Sequence, residues 1–289
     1  MKNINLIFKT VFYLITVSVA LNQIAFSQKS ENNIHIKLIR ETEDDSVFKN
    51  NYQMQKRKNV EFHPKDYINV NNNNKKFEHI ISDFNSDVLS PDGKYNIAYY
   101  EGGACSRYIG VFNSNKQLVG YHEVLLTVIV NFSSNSDYFI VQGSMKRIVY
   151  CFNRHGDLIA KVDLKKYLDF KERNFHRAFV DNEGKYIMVG SSYRLNMYDI
   201  KTDTFLWEDK LEARRLFECV FNNDKGLVFT KTMMPVKDWM IGDSKYSLNI
   251  HTISDGKRVK RIKNIAEMYV KENRFLIKSK NKWYEYAIF

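Results

Sequence analysis

The segment Ser90-Pro91-Asp92-Gly93-Lys94-Tyr95 decides the fold, because it is a tight turn that leads directly into the apolar run 97–100. In such turns proline presets one backbone angle, aspartate bonds its own backbone, and glycine accepts a positive φ. Four similar pairs of turn and apolar run follow. The first aromatic residue or leucine after each turn lies at 95, 138, 186, 227 or 275, so the spacings are 43, 48, 41 and 48 residues. The chain is therefore a repeat protein.

Each of the first four repeats ends in a second hairpin, whose turn is rich in the residues that short hairpins require. These turns lie at 113–115, 153–156, 201–203 and 254–256. Four short strands in a period of forty-odd residues are typical of one propeller blade. The sequence thus predicts an all-β fold, a small β-propeller of four-stranded antiparallel blades, with five or six blades.

The polarity of the strands indicates how the blades pack. The run 138–141 is entirely apolar, as expected for a strand covered on both faces, whereas 256–263 is rich in lysine and arginine and fits an outermost strand. Tyr186 begins the equivalent apolar run of the third repeat. We therefore expect it to be buried between blades, so that Tyr186→Ala would cost about 3–5 kcal/mol of stability.

Two motifs carry a resemblance to a known group of repeats. The turn Ser90–Tyr95 resembles that of WD40-like and TolB-type propeller repeats, and the segment 195–203 resembles their Trp-Asp strand, with Tyr198-Asp199 in place of Trp-Asp. The resemblance covers roughly residues 83–289 and implies the propeller fold alone. The sequence lacks the Gly-His dipeptide of the full WD40 pattern. A shared fold does not by itself imply a shared function.

The first 27 residues have the layout of a signal peptide. Lys2 and Lys9 precede the apolar run 11–21, which is too short to span a bilayer, and Ala25-Phe26-Ser27 offers small residues for cleavage. We expect a mature chain from Gln28 that is periplasmic or secreted, with no transmembrane span after signal cleavage. An uncleaved anchor helix is the alternative.

The segment 28–82 is polar and precedes the propeller domain 83–289. The fifth repeat has only three strands of its own, so a fourth is expected from this segment. The candidates are 34–39 and 77–81. The rest of the segment is either a polar linker or a degenerate blade.

The composition excludes few functions, but the net charge favours one kind of partner. The formal net charge is +11, or +9 without Lys2 and Lys9, which favours anionic partners. Export from the cytoplasm argues against nucleic acid as the partner. Of the three cysteines, Cys151 and Cys219 lie in apolar runs and Cys105 in a loop. No motif of a nucleophile, phosphate loop or metal site is present, so no catalytic residue, cofactor or metal ligand is predicted.

The strand order predicts where a binding site lies. In a blade with strands A to D from inside outward, the A–B and C–D turns share one face, and the B–C and D–A connections share the other. All the long connections belong to the second set, which we call the long-loop face, and function is often carried by such loops. The predicted binding residues for a protein or glycan partner are Cys105, Phe170, Arg214, Met233, Met234, Lys237 and Trp239.

Alternatives remain open at this face. The apolar insertion 231–244 could cap the central channel instead of binding a partner, and the loops could have lengthened without a function. The protein could also be an enzyme, a lyase or hydrolase with its site at the channel mouth. Convergence of charged residues from several blades on that opening would distinguish an enzyme from a binding module.

Overall fold

The structure is a computed structural model that describes residues 34–43, 59–61, 84, 86–99, 108–124, 128–143, 147–166, 175–191, 194–210, 215–233 and 246–289. The chain divides into two units, 1–36 with 288–289, and 37–287. In the first, His35 and Phe289 exchange backbone hydrogen bonds of 3.3 and 3.0 Å. The second carries the sheets. Among the described residues, no helix is long and apolar enough to cross a membrane.

The fold is an all-β propeller, as predicted, and the described residues form five blades, one of the two predicted numbers. Blade 1 contains β2 (Asn59–Glu61), β3 (Ser86–Leu89), β4 (Tyr95–Tyr99), β5 (Tyr108–Asn113) and β6 (Leu118–Glu123). Blade 2 contains β7 (Val128–Phe132), β8 (Tyr138–Gly143), β9 (Ile148–Asn153) and β10 (Leu158–Asp163). Blade 3 contains β11 (Phe175–Val180), β12 (Tyr186–Ser191), β13 (Arg194–Asp199) and β14 (Thr204–Lys210).

The last two blades follow the same plan. Blade 4 contains β15 (Leu216–Asn222), β16 (Leu227–Met233), β17 (Tyr246–Thr252) and β18 (Arg258–Ile265). Blade 5 contains β19 (Glu267–Lys271), β20 (Arg274–Ser279), β21 (Lys282–Ile288) and β1 (Ile36–Thr42). Short 3-10 turns lie at Leu164–Lys166 and Asn223–Lys225.

Burial follows the position of each strand in its blade. All five residues of β4 are buried, whereas β18 and β1 on the outer edge are largely exposed or half-buried. The inner strands of neighbouring blades, such as β11 and β15, contact one another. These differences confirm the predicted apolar inner strands and the basic outermost strand of blade 4.

The N-terminal segment contributes to both the last and the first blade. The strand β1 lies beside β21 as the fourth strand of blade 5, and the short β2 pairs with the inner strand β3 of blade 1. The first of the two candidate strands, 34–39, therefore overlaps the strand that completes blade 5. The second candidate, 77–81, lies outside the described residues.

The A–B turns are built as the sequence predicts. The hydroxyl groups of Ser90 and Ser133 accept hydrogen bonds from the backbone N–H of Tyr95 and Tyr138, at 3.1 and 3.0 Å. In blade 4, Ile253 of the C–D turn donates its backbone N–H to the A–B turn at 2.8 Å. The two kinds of short turn therefore share one face, so the B–C and D–A connections leave from the other.

The seams between blades differ in polarity. Aromatic and aliphatic side chains fill the seam between blades 1 and 2, where Phe139 stacks on Phe152 with 5.1 Å between ring centroids. On the face of blade 4 that meets blade 3, polar residues of β16 and β17 are completely buried. They are Thr230, Thr232, Ser247, Asn249 and His251.

Tyr186 lies at a seam between blades, as expected, but the expectation that it is buried there is wrong. Its side chain is only partly buried and packs against the edge of the apolar cluster between blades 3 and 4. The equivalent Tyr95 is 4% exposed, and its hydroxyl group donates to the backbone oxygen of Ser136 in the next blade, 2.8 Å away. Residues at equivalent positions of the repeat therefore differ in burial, because burial depends on which side chains of the neighbouring blade pack against them.

Candidate binding site

Most of the predicted binding residues lie outside the described part of the chain. These are Cys105, Phe170, Arg214, Met234, Lys237 and Trp239. Met233 is described, and it is the last residue of β16, half-buried and opposite Tyr246 in β17. Its backbone N–H donates to the oxygen of Arg215 at 2.9 Å. Met233 is thus part of a strand, and the insertion predicted to begin at 231 begins after it.

Charged and aromatic side chains meet where these connections leave blades 3 and 4. We call this group the long-loop cluster, which consists of Arg177, Phe217, Glu218, Lys231 and Tyr246. All five lie near the ends of strands that lead into or out of the predicted long connections. Three of them carry charge inside strands that are otherwise mostly apolar.

The contact between Arg177 and Phe217 joins blade 3 to blade 4. One guanidinium nitrogen of Arg177 donates to the backbone oxygen of Phe217 at 2.7 Å, and the guanidinium carbon lies 5.5 Å from the centre of the ring. Phe217 in turn packs edge-on against Tyr246, with 4.9 Å between centroids. The aromatic pair is therefore held by a cation from the neighbouring blade.

Lys231 joins the same pair to blade 5. Its ammonium group donates to the backbone oxygen of Ala266 at 2.6 Å and lies 4.8 Å from the centre of the Tyr246 ring. Its side chain is only 14% exposed. These contacts offset the loss of hydration of the charge and fix its position.

Glu218 is the least constrained charge of the cluster. Its carboxylate is 3.7 Å from the Lys231 ammonium, beyond a good hydrogen bond, and its side chain is 43% exposed. Desolvation by the surrounding strands raises the pKa of Glu218, and Glu267 adds to the increase, while Lys231 opposes it. A carboxylate that is partly exposed and weakly paired can accept hydrogen bonds from solvent or from a ligand.

Blade 5 carries a second charged and aromatic group, which begins at the start of β19. The hydroxyl group of Tyr269 donates to Glu267 at 2.5 Å, and burial raises the pKa of that hydroxyl group. Lys278 lies 4.9 Å from the centre of the Trp283 ring and 3.9 Å from Glu267. Charged residues of blades 3, 4 and 5 therefore lie at or near the starts of the inner strands.

An open depression of about 730 Å³ lies in blade 5, next to this region. It includes Ala266, whose backbone oxygen accepts the hydrogen bond from Lys231. The other lining residues are Glu43, Ser279, Lys280, Asn281, Lys282 and Tyr284. The depression and the long-loop cluster are thus linked through Ala266.

The described residues give no sign of metal or thiol chemistry. Within them, no three side chains of His, Cys, Asp or Glu are grouped as metal ligands. Cys151 and Cys219 are buried free thiols, and burial raises the pKa of Cys151 to about 12. A thiol in that state is unreactive at neutral pH, so both cysteines act as small core residues.

The residues of the long-loop cluster are not among the predicted binding residues, although the sequence contains a signal for them. Arg177, Glu218 and Lys231 interrupt strands that are otherwise rich in apolar residues. A charge in such a strand must find a partner or remain in contact with solvent. The positions of these charges could have been marked, and Glu218 and Lys231 face each other across one hairpin. Arg177, however, has its partner Phe217 in another blade, at no fixed spacing.

Neither the protein-family models nor the curated proteins include a match to this sequence. The resemblance to WD40-like and TolB-type repeats accordingly depends on the turn and strand motifs alone.

Proposed function

We propose that the protein is a non-enzymatic binding module that holds a protein or glycan partner at its long-loop face. The observation that carries the proposal is the long-loop cluster, in which Glu218 keeps spare hydrogen-bonding capacity beside the half-buried rings of Phe217 and Tyr246. Aromatic residues together with a few polar groups are typical of binding surfaces.

The proposal is tested with printed arrays of oligosaccharides and peptides, followed by amide hydrogen exchange with each ligand that binds. Protection is expected at the ends of β11, β15, β16 and β17 that bear the long connections. Protection confined to the A–B turns, on the opposite face, would contradict the proposal.

A double substitution decides whether the 234–245 connection binds or caps. We expect Trp239→Ala with Met234→Ala to weaken binding and to leave the melting temperature nearly unchanged. A large fall in melting temperature would assign this segment a capping role, and the predicted contacts of Met234, Lys237 and Trp239 with a partner would then be wrong.

Glu218 also favours a second candidate function, a hydrolase or lyase. A carboxyl group with a raised pKa, close enough to a second carboxylate to feel its charge, is suited to proton transfer. An enzyme would release new reducing ends or unsaturated products from a polysaccharide, and Glu218→Gln would abolish that release. Unchanged polysaccharide after prolonged incubation with the wild-type protein would favour the binding module.

Export is part of the proposal. Lys2, Lys9, the apolar run 11–21 and the Ala25-Phe26-Ser27 sequence support cleavage before Gln28, with the mature protein in the periplasm or outside the cell. Mass spectrometry of protein from its native host is expected to find an N-terminus near Gln28. An intact Met1 terminus would contradict export by cleavage.

A further inference from the structure

We propose that β18, the outermost strand of blade 4, is a second contact surface, and that it binds an acidic polysaccharide through ion pairs. This surface is the edge of a strand and includes no residue of the long-loop cluster. The inference therefore goes beyond the proposed function and does not depend on it. It follows from the charge of β18 compared with the outermost strands of the other four blades.

The charge of β18 differs from that of every other outermost strand. It contains Arg258, Lys260, Arg261 and Lys263 and no carboxylate, so its formal charge is +4. In comparison, β6 has one glutamate and neither lysine nor arginine, and β10 has one lysine and one aspartate. The strand β14 has one lysine and two carboxylates, and β1 has two cations and one glutamate. The formal charges of these four strands are therefore −1, 0, −1 and +1.

Protection of the strand edge does not account for this difference. Lysine on an edge strand discourages pairing with other chains. The other four outermost strands also lie at the end of a sheet, yet none has more than two cations. Neighbouring cations repel one another, and an anionic partner relieves that repulsion. The concentration of charge on β18 therefore indicates a partner that is itself anionic.

Three of the four cations contribute to the net charge of this edge. The guanidinium group of Arg258 is paired with the Asp209 carboxylate of blade 3 at 2.6 Å, so that pair is neutral. Lys263 is exposed, and Lys260 and Arg261 are half-buried. Long basic side chains at such positions pack their stems on the protein and keep their charged ends in water. The edge therefore presents a net charge of +3 to a ligand.

Lys260 is held in place by blade 5. Its ammonium group lies 4.9 Å from the centre of the Tyr286 ring, and that ring stacks on Phe275 with 4.8 Å between centroids. An ammonium group has three N–H donors, and a contact with a ring face leaves donors for the oxygen atoms of an anion. A side chain that is already positioned loses less conformational entropy when it binds. Lys260 is therefore the best placed cation of the edge.

The backbone of β18 favours a polysaccharide over an acidic peptide that adds as a further strand. The register between β17 and β18 shifts between Tyr246 and Ser247 and again between Ile250 and His251. Such irregularities interrupt the regular row of backbone groups that an added strand must pair with. A polyanionic chain requires only that its anionic groups reach the cations, which are spread along a strand of about 26 Å.

The side chains of β18 also disfavour a lipid surface and a nucleic acid. Peripheral membrane binding combines basic groups with apolar side chains that enter the bilayer. Among the described residues, the exposed large hydrophobic side chains include none from β18, where Val259 and Ile262 are half-buried. The strand has no aromatic side chain on which a base could stack. Carboxylate or sulfate groups on a sugar polymer need neither feature.

The experiment is calorimetric titration of the protein at low ionic strength with polygalacturonate, and with dextran as the neutral polymer. The edge variant combines Lys260→Gln, Arg261→Gln and Lys263→Gln. We expect the wild type to bind polygalacturonate and not dextran, and added salt to weaken the binding. The edge variant should lose roughly tenfold in affinity, because each exposed ion pair contributes a factor of about two to three.

The control variant removes the same charge from other parts of the molecule. It combines Lys161→Gln, Lys201→Gln and Lys225→Gln, all at exposed positions. Lys161 is a close match to Lys260, because it lies on an outermost strand, β10, with its ammonium group 5.6 Å from the centre of a tyrosine ring. We expect the control variant to bind polygalacturonate within about twofold of the wild type.

Four results would overturn the inference. They are no binding of polygalacturonate, equal binding of dextran, equal losses in the edge and control variants, and tighter binding of polyglutamate, DNA or phosphatidylglycerol vesicles than of polygalacturonate. Melting temperatures establish folding. If the triple edge variant unfolds, Lys260→Gln with Lys263→Gln is compared with Lys161→Gln with Lys201→Gln.

Amide hydrogen exchange separates this inference from the proposed function. Polygalacturonate is expected to protect the hairpin of β17 and β18. Protection by polygalacturonate of the long connections alone would overturn the edge as its binding surface and leave the proposed function standing. A failure to find any ligand of the long-loop face would leave the edge inference standing, because its test uses a different surface and different variants.

Discussion

The side-chain amide of Asn223 donates to Oδ2 of Asp181, 2.6 Å away and 42 residues earlier in the chain. The contact joins the A–B turn of blade 4 to that of blade 3. A similar bond of 3.1 Å runs from the backbone of Asn135 to the side chain of Asn182, between blades 2 and 3. Asn222 donates to the backbone oxygen of Glu272 in blade 5. The turns that reveal the repeat in the sequence therefore also connect its blades.

Asp181→Ala tests this chain of turns. The Asp181 side chain is completely buried and also accepts the backbone N–H groups of Lys185 and Tyr186, at 2.7 and 2.9 Å. Alanine leaves these donors without their partner, so we expect a loss of about 3 kcal/mol in urea unfolding. The exposed Asp224→Ala is the control and should change stability by less than about 0.5 kcal/mol. Equal effects of the two substitutions would show that the turns do not connect the blades energetically.

The two tyrosines that follow equivalent turns should differ in their contribution to stability. Tyr95→Ala removes a fully packed ring and is expected to cost about 3–5 kcal/mol. Tyr186→Ala removes a ring that is only partly buried and should cost about 1–2 kcal/mol. Tyr95→Phe isolates the hydrogen bond to Ser136, worth about 1 kcal/mol. Chemical denaturation of the three variants provides the comparison, and a Tyr186→Ala loss as large as that of Tyr95→Ala would contradict it.

Acid should weaken the seam between blades 3 and 4 through Asp209. Its Oδ2 accepts from His251 Nε2 at 2.7 Å and from Arg258 at 2.6 Å. Burial alone would raise the pKa of Asp209, but these hydrogen bonds and charges outweigh it and hold the pKa below its ordinary value. A lowered pKa contributes stability that is present above the unfolded value and lost as the pH falls through the folded value. Stability should therefore decline below about pH 4.

Asp209→Asn should remove that part of the acid dependence. At neutral pH it should also cost about 2–3 kcal/mol, because the fully buried His251 and the Arg258 charge lose their carboxylate partner. Urea unfolding at pH 7 and pH 3 measures both effects, with the exposed Asp157→Asn as control. An unchanged pH profile in Asp209→Asn would rule out this role.

A glycine in β12 sets the approach of blades 3 and 4. A Cβ added to Gly190 would overlap with Cβ of Leu216 in β15, an atom fixed to the backbone. We expect Gly190→Ala to cost about 2–3 kcal/mol, because the two strands would have to separate. Gly93→Ala is a useful contrast, since it has open space around it and a φ of +73° and should cost about 1 kcal/mol. Thermal unfolding ranks the two, and the reverse order would contradict the close approach.

Much of the fold could be predicted because its signals are local. Ser90, Ser133 and Asp181 bond the backbone a few residues further on, so each turn can be recognised within its own six residues. The alternation between buried inner strands and the basic β18 is likewise a property of each strand. For the binding site, only the face of the propeller could be predicted. The strand order determines which connections lie on the same face, but it does not determine which side chains meet there.

The sequence by itself determined the repeat, its period, the turn chemistry and the all-β class, because these depend on hydrogen bonds and burial within a single repeat. The tertiary structure alone decided that β1 completes blade 5, that Tyr186 is shallower than Tyr95, and that Arg177 of blade 3 meets Phe217 of blade 4. Such contacts arise between chain segments brought together by the stacking of blades. The spacing of residues along the chain does not predict these contacts, because the packing of two blades depends on the side chains of both facing surfaces.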